Sequence, residues 1–194
     1  AANRQALDVY EQVVKENPAP DHRHRIEHAQ VVAQEDLPRF NQLGVIPAMQ
    51  AVHATSDKNM AEKRVGPERI KGAYAWRKFL DSGVVIPNGT DAPVEMVNPF
   101  HVLFASVTRQ SRDGEPVGGW YPEEKMTRAE ALKSYTIWAA YAGFEEEIKG
   151  SISAGKLADF IVIDRDYMKC PDSEIKDIKV LQTILGGKVV FSKK

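Results

Sequence analysis

A chain of 194 residues, 43% apolar and 27% charged, suffices for one domain with at most a small appendage, and the composition is that of a soluble globular protein. The net charge of −1, with acidic and basic residues interspersed, gives no pull toward nucleic acid or an anionic membrane. No apolar run reaches the roughly 18 residues that a membrane-spanning helix needs.

Asn3 to Asn17 carries Leu7, Val9, Tyr10, Val13 and Val14 among charged residues and predicts an amphipathic helix, stopped by Pro18 and Pro20. Arg25 to Ala29 predicts a short strand. Glu35 to Leu43 predicts a helix that tolerates Pro38 in its first turn and ends at Gly44. Val45 to Met49 reads as the next strand. Pro67 to Ser82 carries Ile70, Tyr74, Phe79 and Leu80 at helical spacing and closes at Gly83, although its first residues also suit a short strand. Val84 to Asn88 reads as a strand, and Pro99 to Thr108 as a helix. Ser111 to Lys125, rich in Gly and Pro, predicts a long ordered loop. Thr127-x-x-Glu130 is a capping box that opens a helix running to about Gly143.

The texture then changes. Phe160 to Ile163, Val180 to Leu185 and Val189 to Phe191 are β-branched and apolar, and Gly186-Gly187 between the last two signals a hairpin. This predicts a boundary near Glu146, with strand–helix alternation over 1–145 and antiparallel β over 146–194. Alternation implies a mostly parallel sheet covered by helices.

Three residues stand where strand-like runs end: His28 in RIEHAQ, His53 in VIPAMQAVHATSD and Asp91 in VVIPNGTDAPVE. A lone histidine there is either structural or a ligand, and His22 and His24 take the structural reading. His101, inside a helix, reads as a surface or packing residue. An ionised carboxylate at the end of a buried strand needs a partner, because desolvating it alone is costly. Asp91 therefore either caps the following turn or joins the two histidines at a cation. Ligands at the C-terminal ends of strands match where a (β/α)8 barrel puts its chemistry, yet such a barrel takes about 250 residues and eight strands. The alternating part here supplies three or four.

The stretches RHRIEHAQ, MQAVHATSD, AEKRVGPERIKGAYAWRKFLDSGV, GTDAPVE, GGWYP and GKLADFIVID together resemble the amidohydrolase superfamily, in particular its YtcJ-like, amidohydrolase-3 group. The resemblance runs from about Arg23 to Phe191. It implies an α/β fold, a partial (β/α)8 TIM barrel of about strands 5 to 8, followed by C-terminal strands of a composite β-sandwich. It implies His28 as the strand-5 metal ligand, His53 as the strand-6 ligand, and Asp91 as the strand-8 aspartate that binds metal and moves protons. It further implies one or two divalent ions, zinc foremost, a small-molecule substrate, and hydrolysis of an amide-type C–N bond.

Ala51 and Thr90 stand where the group usually has Pro and often Ser, and both changes leave the ligands intact. The larger departure is that the family's strand-1 His-x-His and strand-4 Lys or Glu have no counterpart. His22-Arg23-His24 has the right spacing but precedes the strand that leads to His28.

The expectation is the C-terminal half of an enzyme, inactive alone, its open edges covered by the missing half or by a second copy. A non-catalytic or regulatory module with the same fold is the competing reading, and a stand-alone α/β binding protein is a third. Arg64, Trp120 and Tyr121 are open to substrate contact or to packing. Cys170, the one cysteine, excludes an intrachain disulfide and reads as a passive surface thiol. A reducing, cytoplasmic setting suits it. Because the chain opens Ala1-Ala2-Asn3 rather than with Met, a natural N-terminus is expected to have been lost.

Overall fold

Residues 1–193 are described by a computed structural model; residue 194, where the expected C-terminal segment ends, lies outside them. The first amphipathic run forms α1, Ala2–Glu16, which seats Leu7 in the core. After β1, Arg25–Glu27, a short 3-10 turn leads into α2, Leu37–Leu43, with Pro38 in its first turn. Gly44 ends α2 at φ 63°, a left-handed position that glycine takes without steric cost.

β2, Ile46–Ala48, lies parallel to β1 in the register Arg25↔Ile46, Ile26↔Pro47 and Glu27↔Ala48. An isolated parallel bridge, Met49↔Asn88, adds one further step. The run from Val84 to Asn88 therefore does not form the strand its sequence predicts. Ile86 is fully buried, but only Asn88 finds a ladder partner among the described residues.

Two helices follow β2 that the sequence reading lacked: α3, Ala51–Asp57, and α4, Ala61–Arg69, the latter broken at Gly66 (φ 81°, ψ 168°). The helix expected over 67–82 is interrupted. After a 3-10 turn, Ala73 is extended and bridges Val31, and α5 starts only at Trp76, covering Trp76–Asp81. Gly72 makes this approach possible, since a Cβ there would lie 1.9 Å from the Val32 carbonyl oxygen.

α6, Pro99–Thr108, is capped by Asn98, whose side chain accepts from the Phe100 amide. The 111–125 segment is irregular except for a 3-10 turn at Pro122–Glu124. The capping box is present: Thr127 Oγ1 accepts from the Glu130 amide and a Glu130 carboxylate oxygen accepts from the Thr127 amide. It opens α7, Arg128–Tyr135. Thr136 breaks the expected single helix, and α8, Ile137–Ala142, follows.

β3, Phe160–Ile163, β4, Val180–Leu185, and β5, Lys188–Ser192, form a separate antiparallel sheet, with Gly186-Gly187 turning the β4–β5 hairpin. The fold is thus α/β, with a parallel pair in the first part and an antiparallel sheet in the second. One core links them: Phe40, Trp76, Phe79 and Phe104 share a cluster with Tyr167, Ile175 and Ile178 from beyond residue 146. Phe40 and Phe79 meet edge to face at 4.9 Å.

Candidate metal centre

The three ligand-type residues arrive by different local routes. His28 follows β1 directly, in a turn where His28 and Ala29 both have positive φ (70° and 40°) and the Ala29 amide donates to the Glu27 carbonyl. Left-handed backbone at a residue with a side chain costs roughly 1–2 kcal/mol, so the surrounding structure holds it there. Asp91 also sits at positive φ (56°); its carbonyl accepts from Val94 N, and Thr90 Oγ1 accepts from Ala92 N. His53 does not end a strand, as its sequence suggested. It lies in the first turn of α3, buried, with its amide donating to the Gln50 carbonyl.

These routes converge. One ligand atom from each of His28, His53 and Asp91 falls within 4.8 Å of the others. Asp91 Oδ2 is 3.9 Å from His28 Nδ1 and 3.8 Å from His53 Nε2, beyond hydrogen-bond reach. His53 Nε2 is buried and has no hydrogen-bond partner. A buried polar atom left unpaired calls for an explanation, and a cation among two imidazoles and a carboxylate supplies one. That donor set suits zinc or a similar divalent ion.

The support around the cluster is polar. His28 Nδ1 donates to Gln50 Oε1 at 2.8 Å. Gln30 Nε2 lies 3.2 Å from His53 Nδ1 and 3.4 Å from Asp57 Oδ2. The Tyr74 hydroxyl donates to the same Asp57 oxygen at 2.6 Å. Burial first, and the Asp57 carboxylate second, raise the Tyr74 phenol above its ordinary pKa, so it stays a donor. Asn88 Oδ1 accepts from the amides of Ala51 and Gly89, which ties the start of α3 to the loop leading to Asp91.

Gln30, Gln50, Asp57, Tyr74 and Asn88 escaped the sequence reading. Its one available signal was the four-residue spacing of His53 and Asp57, which puts both on one helix face.

The other candidates lie elsewhere. His22 and His24 stack on one another at 4.4 Å, and His24 also stacks on Tyr10. His101 caps back onto Asn98, and burial lowers its pKa. Arg64 is exposed. Trp120 and Tyr121 pack edge to face at 4.9 Å, and Trp120 meets Tyr74 at 5.6 Å. Arg109, fully buried, lies over the Trp76 and Trp120 rings and donates to the Trp120 and Tyr74 carbonyls; burial lowers its pKa to about 10. Cys170 is half-buried beside Arg128, rather than freely exposed.

The model of the amidohydrolase family matches residues 1–191. The chain belongs to that family. Among curated relatives, the protein LONG AFTER FAR-RED 3 of Arabidopsis thaliana is 36% identical over 98% of this chain and 32% of its own length. The amidohydrolase YtcJ of Bacillus subtilis, itself assigned only provisionally, is 28% identical over 93% of this chain and 34% of its own. The N-substituted formamide deformylase of Arthrobacter pascens is 31% identical over 93% and 33%. A metal-dependent hydrolase of Pyrococcus furiosus, known by crystal structure but uncharacterised, superposes with a TM-score of 0.69 at 32% identity, covering 85% of this chain and 32% of that one. This amidohydrolase-family chain thus spans about a third of the length of the curated relatives it matches, and the YtcJ-like resemblance holds.

Proposed function

We propose that this chain carries part of the active site of a metal-dependent hydrolase that cleaves the C–N bond of an amide-type, non-peptide substrate. The reading rests on one observation: two imidazoles and a carboxylate within 4.8 Å of each other, around an unpaired buried nitrogen, in an amidohydrolase-family chain. His28, His53 and Asp91 hold the metal, zinc foremost, as one or two ions in the longer protein. A bound divalent ion supplies a water whose pKa falls toward about 7. Asp91 takes a proton from the attacking water as general base. It then delivers that proton to the leaving nitrogen as the C–N bond breaks, releasing a carboxylic acid and an amine. Likeness to the formamide deformylase supports an N-substituted amide or formamide as substrate.

Residues 1–145 serve as the second half of a (β/α)8 barrel, strands 5 to 8, and 146–194 as strands of a β-sandwich. The order β1, β2, Asn88 in parallel register supports the first assignment. The exposed Val189, Val190 and Phe191, with Phe160, Ile161 and Val162, leave an apolar sheet for the parent's remaining part, or a second copy, to cover. The single cysteine suits a cytoplasmic setting.

Three donors are fewer than a fully assembled centre uses, so this polypeptide alone holds zinc weakly and turns over no amide. A second reading, a non-catalytic module, draws on the same fact: His28, His53 and Asp91 form the one such group among the described residues. Zinc stoichiometry, solution mass and amide hydrolysis, measured on this polypeptide and on its longer parent, decide the matter. Tight zinc with steady hydrolysis by the 194 residues alone overturns the fragment reading. A metal-loaded parent that hydrolyses no amide or formamide favours the non-catalytic module.

A further inference from the structure

A separate cavity of about 230 Å³ opens between α3, the loop after Asp91, α6 and the residues that follow α6. Val52, Phe104 and Ala105, all buried, give it an apolar side. Two opposite charges line the same space, Glu95 from the loop and Arg112 from the 111–125 segment.

Neither charge is neutralised. Most arginines of this molecule meet a carboxylate, whereas Arg112 Nη1 donates to the thioether sulfur of Met96, a weak acceptor. Glu95 accepts from the Ser56 hydroxyl and meets no cation among the described residues. Asp113, the carboxylate beside Arg112 in sequence, is turned to the Glu115 amide. His101 also lines the cavity, and burial first, then Arg112, lowers its pKa and keeps it neutral at pH 7.

Single solvated charges are ordinary on a protein surface. This pair differs because each member stands on its own anchored loop, so the gap between them is built in. Ser111 Oγ donates to the Thr55 carbonyl and accepts from Lys58 Nζ, which fastens the Arg112 loop to α3. Gln110 Nε2 donates to the Gly114 and Pro116 carbonyls, and Ser111 N to the Glu115 carbonyl. On the other loop, the Val94 N bond to the Asp91 carbonyl and the Asn98 cap of α6 bracket Glu95. Lys58 meets no carboxylate among the described residues and adds positive charge on the Ser111 side.

We propose that this cavity binds a small zwitterion, a molecule of amino-acid size whose carboxylate meets Arg112 and whose ammonium group meets Glu95. A carboxylate gives the guanidinium the paired acceptors that a thioether cannot. An ammonium group gives Glu95 charge-assisted donors beyond the one hydroxyl it has. A simple anion would be repelled by Glu95, and a simple cation by Arg112 and Lys58. The space lies below the roughly 300–1,000 Å³ of pockets for drug-sized ligands, and its apolar side takes a short carbon body. None of His28, His53 and Asp91 lines it, so the site stands whether or not a cation binds among them.

Isothermal titration with glycine, β-alanine and 4-aminobutanoate, which space the two charges differently, tests the site on the 194-residue chain and on its longer parent. Acetate and methylammonium serve as single-charge probes. One of the amino acids is expected to bind at least about tenfold tighter than either single-charge probe, the factor that one charge-assisted bond supplies. In Glu95→Gln its advantage over acetate should vanish, and in Arg112→Gln its advantage over methylammonium. Both side chains reach solvent, so both variants keep the fold. Acetate binding as tightly as every amino acid makes the cavity a simple anion site and overturns the zwitterion. Equal binding of the amino acid by the unsubstituted chain and both variants places the ligand elsewhere and also overturns it, as does no detectable binding of all three amino acids.

Discussion

Two polar clusters in this molecule use similar groups to opposite ends. Around α5 and α7, Arg77 meets Glu130 through two parallel bonds of 2.9 and 2.5 Å, and Glu130 also accepts from the Thr127 amide and hydroxyl. Nearby, buried Glu124 accepts from the Arg77 amide and from the Lys78 ammonium. Each of these carboxylates has its cation in place, and Arg77 is the first cause holding the Glu130 carboxyl down to about 2. At His28, His53 and Asp91 the facing atoms stay 3.8 to 3.9 Å apart, and His53 Nε2 pairs with nothing. One cluster is internally neutralised and fastens elements together. The other is left open, with two of its three residues on left-handed backbone, and its cost is met by support from Gln30, Gln50 and Asn88. Paired charge is scaffold here, and the unpaired convergence is where the proposed metal site lies.

The largest separation of the two follows from Asp91→Asn. Asparagine tolerates left-handed backbone as aspartate does, so denaturant unfolding is expected to change by less than about 0.5 kcal/mol. The carboxamide is a poor ligand, and zinc affinity, followed through the His28 and His53 NMR signals, is expected to fall by about a hundredfold, at the upper end of what even an outer partner costs. A stability loss with unchanged zinc binding would reverse the assignment of the two clusters.

Glu130→Gln is the opposite experiment. The folded carboxyl titrates at about 2 against an ordinary 4.5, so its contribution is fully present above pH 4.5 and is lost as pH falls toward 2. The full shift corresponds to about 3 kcal/mol. Water still reaches 25% of the Glu130 side chain and 27% of Arg77, and screening leaves about 1–2 kcal/mol. The variant should lose that much at neutral pH, show a flatter stability profile between pH 4.5 and 2, and bind zinc as the unsubstituted 194-residue chain does. An unchanged acid profile would mean that the pair contributes nothing measurable.

How much of this was legible in the sequence depended on where each element's instructions lie. α6, the capping box and the Gly186-Gly187 hairpin are set by local signals, and they stand where the sequence puts them. α3 was hidden because Val45 through Val52 is nearly unbroken apolar sequence, in which strand and helix periods cannot be told apart. The run to Asn88 has a strand's composition, but a strand also needs a neighbour, and among the described residues only Met49 provides one. The break at Ala73 comes from the close approach of Val32 to Gly72, a tertiary fact with no local trace beyond the glycine. His28, His53 and Asp91 were identifiable as types at the ends of strand-like runs, although only His28 directly follows a strand, and family resemblance named their roles. Gln30 was not, because a glutamine two residues after a histidine carries no distinctive pattern until the Val31↔Ala73 bridge brings Tyr74 and Asp57 beside it.

The smallest expected effect tests the seam between the clusters. Asn98 ends the loop that begins at Asp91 and caps α6, its Oδ1 accepting from Phe100 N and its Nδ2 lying 3.2 Å from His101 Nε2. Replacing an N-cap asparagine by alanine costs about 1 kcal/mol, so Asn98→Ala should shift denaturant unfolding by that amount. Zinc binding should not follow. The Asp91 turn is closed by its own bonds, Val94 N to the Asp91 carbonyl and Ala92 N to Thr90 Oγ1, and these do not pass through Asn98. If zinc affinity instead drops severalfold with the lost cap, the left-handed turn at Asp91 is held from α6, and the open cluster leans on the scaffold more than its own hydrogen bonds indicate.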